Sequence, residues 1–357
     1  TDDNFFVGAS LLNTYFKNTE WRFEPGLRYD FGSDTRLAVG ADVAQTFAEG
    51  NSLAHDVRRI TYGAYTSVEQ KLFGGGEIIN GILVYPSLRF DAVRTGTTTL
   101  SSWSPQLGVV VPFVEISGFK PTLRVNVSRN FAVPTFNMLF FAGGGGMGNP
   151  NLLPERSTGF DVGMNADARW WGKHALQVSY FNIAMTDRIV WISSGGPNVT
   201  PKNIRSVRSS GIEMSYRWEP VEDFLILSAT YTSSSTRKSA GDFAGDRNVN
   251  TQLVYVPQET GTASASISRK FDNSFLSQLG GTVALSYTGF RYTTEDNLNF
   301  LPSYMVVNCN LRATIALLPV RYVVRLEVNN LFDKEYQTIV SYPMPGRSFR
   351  IALGVEY

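Results

Sequence analysis

From Trp21 to Phe31 the chain alternates without a break. Trp21, Phe23, Pro25, Leu27, Tyr29 and Phe31 fall on one side of an extended strand, and Arg22, Glu24, Gly26, Arg28 and Asp30 on the other, because strand side chains project with period two. Residues 304–315 repeat the pattern, with Met305, Val307, Cys309, Leu311, Ala313 and Ile315 opposite Asn308, Asn310 and Arg312. So do 321–329, where Tyr322, Val324, Leu326 and Val328 interleave with Arg321, Arg325, Glu327 and Asn329. In the last strand, Phe349, Ile351, Leu353, Val355 and Tyr357 oppose Ser348, Arg350, Ala352, Gly354 and Glu356. Such a strand suits a barrel wall between lipid and water. A half-buried sandwich strand alternates in the same way, so the number of such segments carries the weight.

Reading alternation between turn signals gives 16 segments, at 3–14, 20–32, 35–47, 58–71, 78–92, 102–116, 120–131, 155–168, 173–193, 207–218, 222–236, 256–270, 277–291, 303–316, 320–332 and 347–357. Their connections also alternate: the odd ones run 5 to 23 residues and the even ones 2 to 6. That parity is expected when one rim of a barrel carries loops and the other tight turns; Greek-key sandwiches have no reason to keep it. The reading is an all-β chain forming a transmembrane antiparallel β-barrel of about 16 strands, a single region over 1–357. Long loops then belong to the cell exterior, and Tyr357 to the periplasmic rim. Arg22, Arg28, Arg89, Arg124, Arg325, Arg350 and Glu327, with Glu24, Asp30, Asp91 and Glu356, are expected to face the lumen. An Arg turned toward mid-bilayer would cost about 2–4 kcal/mol, enough to decide which face is which.

Composition agrees and excludes other classes. Of 357 residues, 18% are charged and 13% aromatic, with a net charge of +1, which argues against nucleic acid as a partner. No apolar run approaches the ~18–20 residues of a spanning helix. The single Cys309 forms no internal disulfide. The absence of an initiator Met and a signal sequence points to a processed chain or a fragment.

Three segments go further. Residues 124–155 run from Arg124-Val-Asn-Val-Ser through Phe136-Asn-Met-Leu-Phe and a glycine run to Gly148-Asn-Pro-Asn-Leu-Leu-Pro-Glu155. Residues 179–189 read Ser-Tyr-Phe-Asn-Ile-Ala-Met-Thr-Asp-Arg-Ile, and 329–336 read Asn-Asn-Leu-Phe-Asp-Lys-Glu-Tyr, followed by Pro345-Gly-Arg347. In this order and spacing they resemble the C-terminal barrel of TonB-dependent outer-membrane receptors, most of all the cobalamin and catecholate-siderophore branch. The resemblance implies a 22-stranded barrel of which this chain supplies the later strands. It also implies a plug and early strands from elsewhere, a TonB-type energising protein acting through the plug, and a small metal-chelate or cobalamin-like ligand. From the residues themselves, Pro150 and Pro154 stiffen the return into the strand at 155. Asn149, Asn151 and Glu155, like Asn330, Leu331, Phe332 and Asp333, read as architectural, with Asn and Asp bonding local backbone where strand gives way to loop.

Phe136, Met138, Phe140, Phe141, Met147 and Trp191 are candidates for gripping an amphipathic ligand; the alternatives are an interfacial girdle or packing under the loop. Gly143–Gly146 lacks the Gly-Lys-Ser/Thr of a phosphate loop. His55 and His174 have no metal-ligand partner, so no metal, cofactor or enzymatic site is expected. Asp242 and Asp246 could hold Ca²⁺, though their spacing fits no known loop. Besides the receptor, two readings remain at this stage: a plugless 16-stranded diffusion porin, and a structural partial barrel completed by another chain.

Overall fold

The computed structural model describes residues 2–7, 10–143, 145–193, 199–243, 245–272, 275–317 and 319–356. In chain order its elements are β1 (Asp2–Val7), β2 (Ser10–Phe23), β3 (Gly26–Phe31), β4 (Thr35–Gly50), β5 (Val57–Gly74), β6 (Gly81–Thr95), β7 (Thr98–Pro112) and β8 (Phe119–Ala132). A short helix α1 (Phe136–Phe140) and two short strands, β9 (Ala142–Gly143) and β10 (Gly146–Met147), follow. Then come β11 (Glu155–Ala168), β12 (Lys173–Ser193), β13 (Val199–Val221), β14 (Leu225–Ala240), β15 (Glu259–Lys270) and β16 (Leu276–Thr288). The chain closes with β17 (Arg291–Tyr292), β18 (Phe300–Leu301), β19 (Tyr304–Leu317), β20 (Val320–Asn329), β21 (Gln337–Ile339), β22 (Tyr342–Pro343) and β23 (Ser348–Glu356).

The long strands pair with their neighbours as an antiparallel meander, β4 with β5, β5 with β6, and so on to β20 with β23. β2 and β3 both pair with β4 and act as one strand interrupted at Glu24-Pro25. Pro25 cannot donate to the ladder, but its carbonyl accepts from Ala41 N at 3.0 Å and keeps the two halves aligned. The segment expected as one strand over 3–14 is instead a hairpin, β1 against the start of β2, with Val7 opposite Ser10.

Burial along these strands is inverted relative to a water-soluble sheet. On β4, Asp42 is 8% and Ala44 2% exposed, while Val43 between them is 38% exposed. Across the meander the exposed face carries the large apolar side chains, among them Val127, Phe160, Ile212, Val283 and Leu311. The half-covered face carries the charges. Cys309, half-buried, opposes Val283 and Val328 and therefore belongs to the apolar face.

The ends of the sheet differ as expected, with one correction. At one end the connections are 32–34, 75–80, 113–118, 169–172, 222–224, 271–275 and 318–319; at the other, 133–154, 241–258, 289–303 and 330–347 are long. The connections expected to be long near 93–101 and 194–206 are largely strand, because β6 runs to Thr95 and β13 begins at Val199. Ladder pairing continues past the zone where alternation is needed: beyond lipid, both faces can be polar and the apolar signal fades. Tyr357 and Gly144 lie outside the described residues, as does the side chain of Glu356.

Candidate functional site: the long-loop layer and the polar face

The long loop 133–154 is built onto the wall. Thr135 caps α1, its Oγ1 accepting from Met138 N at 3.2 Å. The helix turns Phe136 and Leu139 to one side, as i, i+3 positions do. Phe136 enters a buried cluster with Ala48, Leu53 and Val57, against which Phe16 and Phe140 also pack. Leu139 joins Leu152 and Ile189, with Met138 and Phe140 alongside. The Arg59 guanidinium lies 4.4 Å over the Phe136 ring, and its Nη2 donates to Pro134 O at 2.7 Å. Backbone bonds from Ala54 N to Phe140 O and from Ala142 N to Ser52 O, both 2.8 Å, tie the loop to 51–56.

The return of this loop explains its sequence motif. Asn149 Oδ1 accepts from Asn151 N at 3.0 Å, and its Nδ2 donates to Pro201 O at 3.2 Å. Pro154 is buried, and Glu155 Oε1 accepts from Ile189 N at 2.6 Å. Asn203 completes the clamp, accepting from Leu153 N at 2.9 Å and donating to Asp187 O at 2.6 Å. The second motif is equally architectural. Asn330, 4% exposed with φ 51°, accepts from Lys334 N at 2.8 Å and donates to Lys334 O at 2.9 Å. Asp333 Oδ1 accepts from Arg347 N at 2.7 Å, joining the end of β20 to the approach of β23. Leu331 N bonds Val307 O at 2.7 Å, and Phe332 stays exposed.

The six aromatic and Met candidates divide. Phe136 is buried, and Met138 and Phe140 pack against the clusters, so these three anchor the loop. Phe141 and Trp191 meet edge to face at 6.2 Å, with Trp191 39% and Met147 69% exposed.

The remaining long loops form a second connected body. Gln252, 3% exposed, accepts from Thr236 N at 3.0 Å. Asn297 Oδ1 accepts from Gln252 N at 2.8 Å, and its Nδ2 donates to Gln252 O at 2.9 Å, joining 241–258 to 289–303. Arg291 Nη2 donates to Gln337 O at 2.9 Å and brings in 330–347. The Asp242 and Asp246 pair does not form a calcium loop: Lys238 Nζ lies 2.6 Å from a carboxylate oxygen of each. That ammonium, with the backbone N–H groups of Asn248 and Asp242, lowers the Asp246 pKa to about 2. A cleft of about 650 Å³ lies between 301–304 and 333–346, with the rings of Tyr304 and Tyr336 on its wall, centroids 4.3 Å apart and planes inclined by 30°.

On the polar face, Arg22 reaches Glu20 and Glu24 at 2.9 and 3.0 Å. Arg28 stands opposite Ala38, Arg124 Nη2 donates to Asn165 Oδ1 at 2.8 Å, and Arg325 stands opposite Arg312. Arg350 faces Glu327 at 3.8 Å. Asp30 pairs with Arg36 at 2.6 Å. Arg89 Nη2 bridges Asp42 and Asp91, both at 2.7 Å. Gly63 makes room for this trio: a Cβ there would come within 2.3 Å of both Arg89 Nη2 and Asp42 Oδ1. Asp42, Arg59, Asn203 and Gln252 are not legible in the sequence because their partners are remote in the chain, and Lys238, although its partners Asp242 and Asp246 are near, reads as one more charge in a loop approach. A charged residue at an alternation-interrupting position such as Lys238 was the available signal.

A model of the TonB dependent receptor-like β-barrel family matches residues 1–331. Vitamin B12 transporters BtuB of Photobacterium profundum and Vibrio vulnificus are 25% and 26% identical over 235 and 243 residues, 64% and 67% of this chain. Those matches span only 34% and 33% of the two relatives, so the chain covers about a third of their length. Similar solved structures include the siderophore receptor PirA from Acinetobacter baumannii, at TM-score 0.67 and 17% identity over 98% of this chain and 56% of that one. The copper transporter OprC aligns at TM-score 0.69 and 14% identity over 96% of this chain and 57% of that one. An antiparallel wall with its apolar face outward, tight turns at one end and long loops at the other agrees with these matches, and the chain belongs to the TonB-dependent receptor family as an outer-membrane β-barrel.

Proposed function

We infer that this barrel takes up a scarce solute, a metal chelate or a cobalamin-like molecule, captured by the long-loop layer. The observation that carries the reading is the clamped loop 133–154. Its anchors hold Phe141 and Met147 at the loop surface, and Phe141 there meets Trp191 of β12, so less ordering entropy remains to be lost on binding than for an unanchored loop. The similarity to vitamin B12 transporters and to siderophore receptors supports the ligand class.

In this reading the polar face lines the bore and meets a plug, which with the early strands comes from outside these 357 residues and engages a TonB-type protein. Mixed charge suits contact with another protein surface better than a single-sign ion filter. Asp42 Oδ2 is buried without a hydrogen-bond partner, an acceptor that a plug donor would satisfy.

The test uses the full receptor. Ferric siderophore and cyanocobalamin binding are measured for wild type and for Phe141→Ala/Trp191→Ala, with folding followed by heat-resistant migration on gels. A folded double variant that has lost at least tenfold in affinity for one ligand class supports the reading. Unchanged binding of both classes, or a large open-channel conductance in a planar bilayer, would remove it in favour of a different site or a porin.

A further inference from the structure

The apolar face does not end in neutral side chains at the long-loop end. Register places Arg129, Thr158, Ala184, Arg208 and Arg237 in one continuous cross-strand row over β8, β11, β12, β13 and β14. Arg156 lies diagonal to Arg129, two residues along β11 from Thr158. All four arginines continue the face that carries the exposed Val127, Phe160, Ile212 and Tyr231, since each is an even number of residues from its neighbour in the same strand. Arg94, on the same face of β6 opposite Ile60, extends the band.

Three features set this band apart from ordinary surface charge. Arg208 and Arg237 stand directly opposite each other, a like-charge pairing that opposes strand association. Among the described residues, none of the four is in a salt bridge. Arg156 lies 5.8 Å over the Phe131 ring, and the bonds of Arg237 go to neutral groups, Ser235 Oγ and Asn250 O. Glu259, the carboxylate opposite Ser233 on this face, accepts from Tyr231 OH at 3.1 Å. It stands four strand positions from the Arg237 row, about 13 Å.

Depth supplies the third feature. The four arginines stand about 10 to 13 residues from the short-connection ends of their strands, roughly 40 Å along the strand and about 31 Å along the membrane normal at a tilt of ~40°. An apolar band ~25 Å tall ends below that level, and headgroups begin there. The short-connection end is marked by its own interfacial aromatics, with Trp170 stacked on Phe119 and His174 on Trp218.

We propose that Arg129, Arg156, Arg208 and Arg237 form a lipid-docking site on the outside of the barrel, binding the phosphate groups of a phosphorylated lipid of the outer leaflet. An anion between Arg208 and Arg237 converts their repulsion into two charge-assisted contacts, and guanidinium matches phosphate geometry. The small side chains of Thr158 and Ala184 leave room for a headgroup between Arg129 and Arg208. The site is independent of what the receptor transports.

The test uses the purified full receptor in neutral detergent. The probes are a bis-phosphorylated acyl-glucosamine disaccharide lipid, its dephosphorylated form, and inorganic phosphate, with bound lipid counted by native mass spectrometry. Wild type and Arg269→Ser, an arginine at the short-connection end of the same face, are expected to bind the phosphorylated lipid equally. Arg208→Ser/Arg237→Ser and Arg129→Ser/Arg156→Ser, checked for heat-resistant folding, should each lose at least tenfold, while Arg208→Lys/Arg237→Lys keeps most of the binding. Undiminished binding by both Ser double variants would overturn the site. So would equal binding of the dephosphorylated lipid, or displacement by inorganic phosphate at matching concentration, which would mark an anion site unrelated to lipid.

Discussion

Leu311 and Asn310 are chain neighbours on opposite faces of β19, and they allow the inside–outside assignment to be tested with one pair of substitutions. Leu311 is 54% exposed and lies over Gly281, where an added Cβ would approach its Cδ2 to 2.9 Å. It stands about six residues from the end of β19 at Leu317, roughly 16 Å up the membrane normal and so near the middle of the apolar band. By exposure alone, Leu311→Arg is a surface change worth no more than about 0.5 kcal/mol. Against hydrocarbon it should cost about 2–4 kcal/mol, a factor of roughly thirty to several hundred in the folding equilibrium. Asn310, exposed on the polar face opposite Thr282 and Glu327, should accept leucine for under ~1 kcal/mol. The assay is denaturant titration of the full receptor in lipid vesicles, read by heat-resistant migration. Equal costs for Leu311→Arg and Asn310→Leu would refute the facing of the whole wall, because register ties every strand to this one.

Phe136→Ala should release loop 133–154 from the wall at a local cost of about 3 kcal/mol, seen as faster amide exchange in 136–152 with the barrel amides unchanged. Asn330→Ala removes several hydrogen bonds and places alanine at positive φ; about 2–3 kcal/mol of local stability should go, and Asn330→Gly should restore only the part due to backbone strain. Loop 241–258 should depend on pH through Asp246. Its folded-state pKa of about 2 lies below the ordinary 3.8, so the stabilisation is complete above roughly pH 4 and is lost as pH falls toward 2. Exchange of the loop amides between those values should show it, and Asp246→Asn should abolish that acid-dependent step.

The wall was legible because lipid demands strict alternation: Trp21 to Phe31 and Tyr322 to Val328 each read as a strand, and the repetition of such segments along the chain read as a barrel wall. Where the chain leaves hydrocarbon the demand lapses: β12 is legible over its whole length, whereas the outer reach of β13 and the tip of the β6–β7 hairpin are not, although all of them are paired. Asn330 and Asp333 announced their roles because their partners are local or fall inside a compact motif, as does the Asn151 partner of Asn149, whereas the bond from Asn149 to Pro201 O is remote and unsignalled. The loop anchors did not. Phe136 looks the same in sequence whether it meets a solute or the Ala48 and Leu53 side chains, and only its 8% exposure separates the two. Lys238 neutralises carboxylates that resembled a calcium site, and nothing in their spacing discloses that the cation is supplied by the chain itself.

Cys309 carries the one thiol in the sequence and presents it to the acyl chains rather than to either aqueous compartment. The protein therefore holds a ready-made reporter of bilayer contact. Uncharged maleimides that partition into oil should modify it in vesicles while membrane-impermeant, sulfonated ones leave it intact, without any engineered mutation.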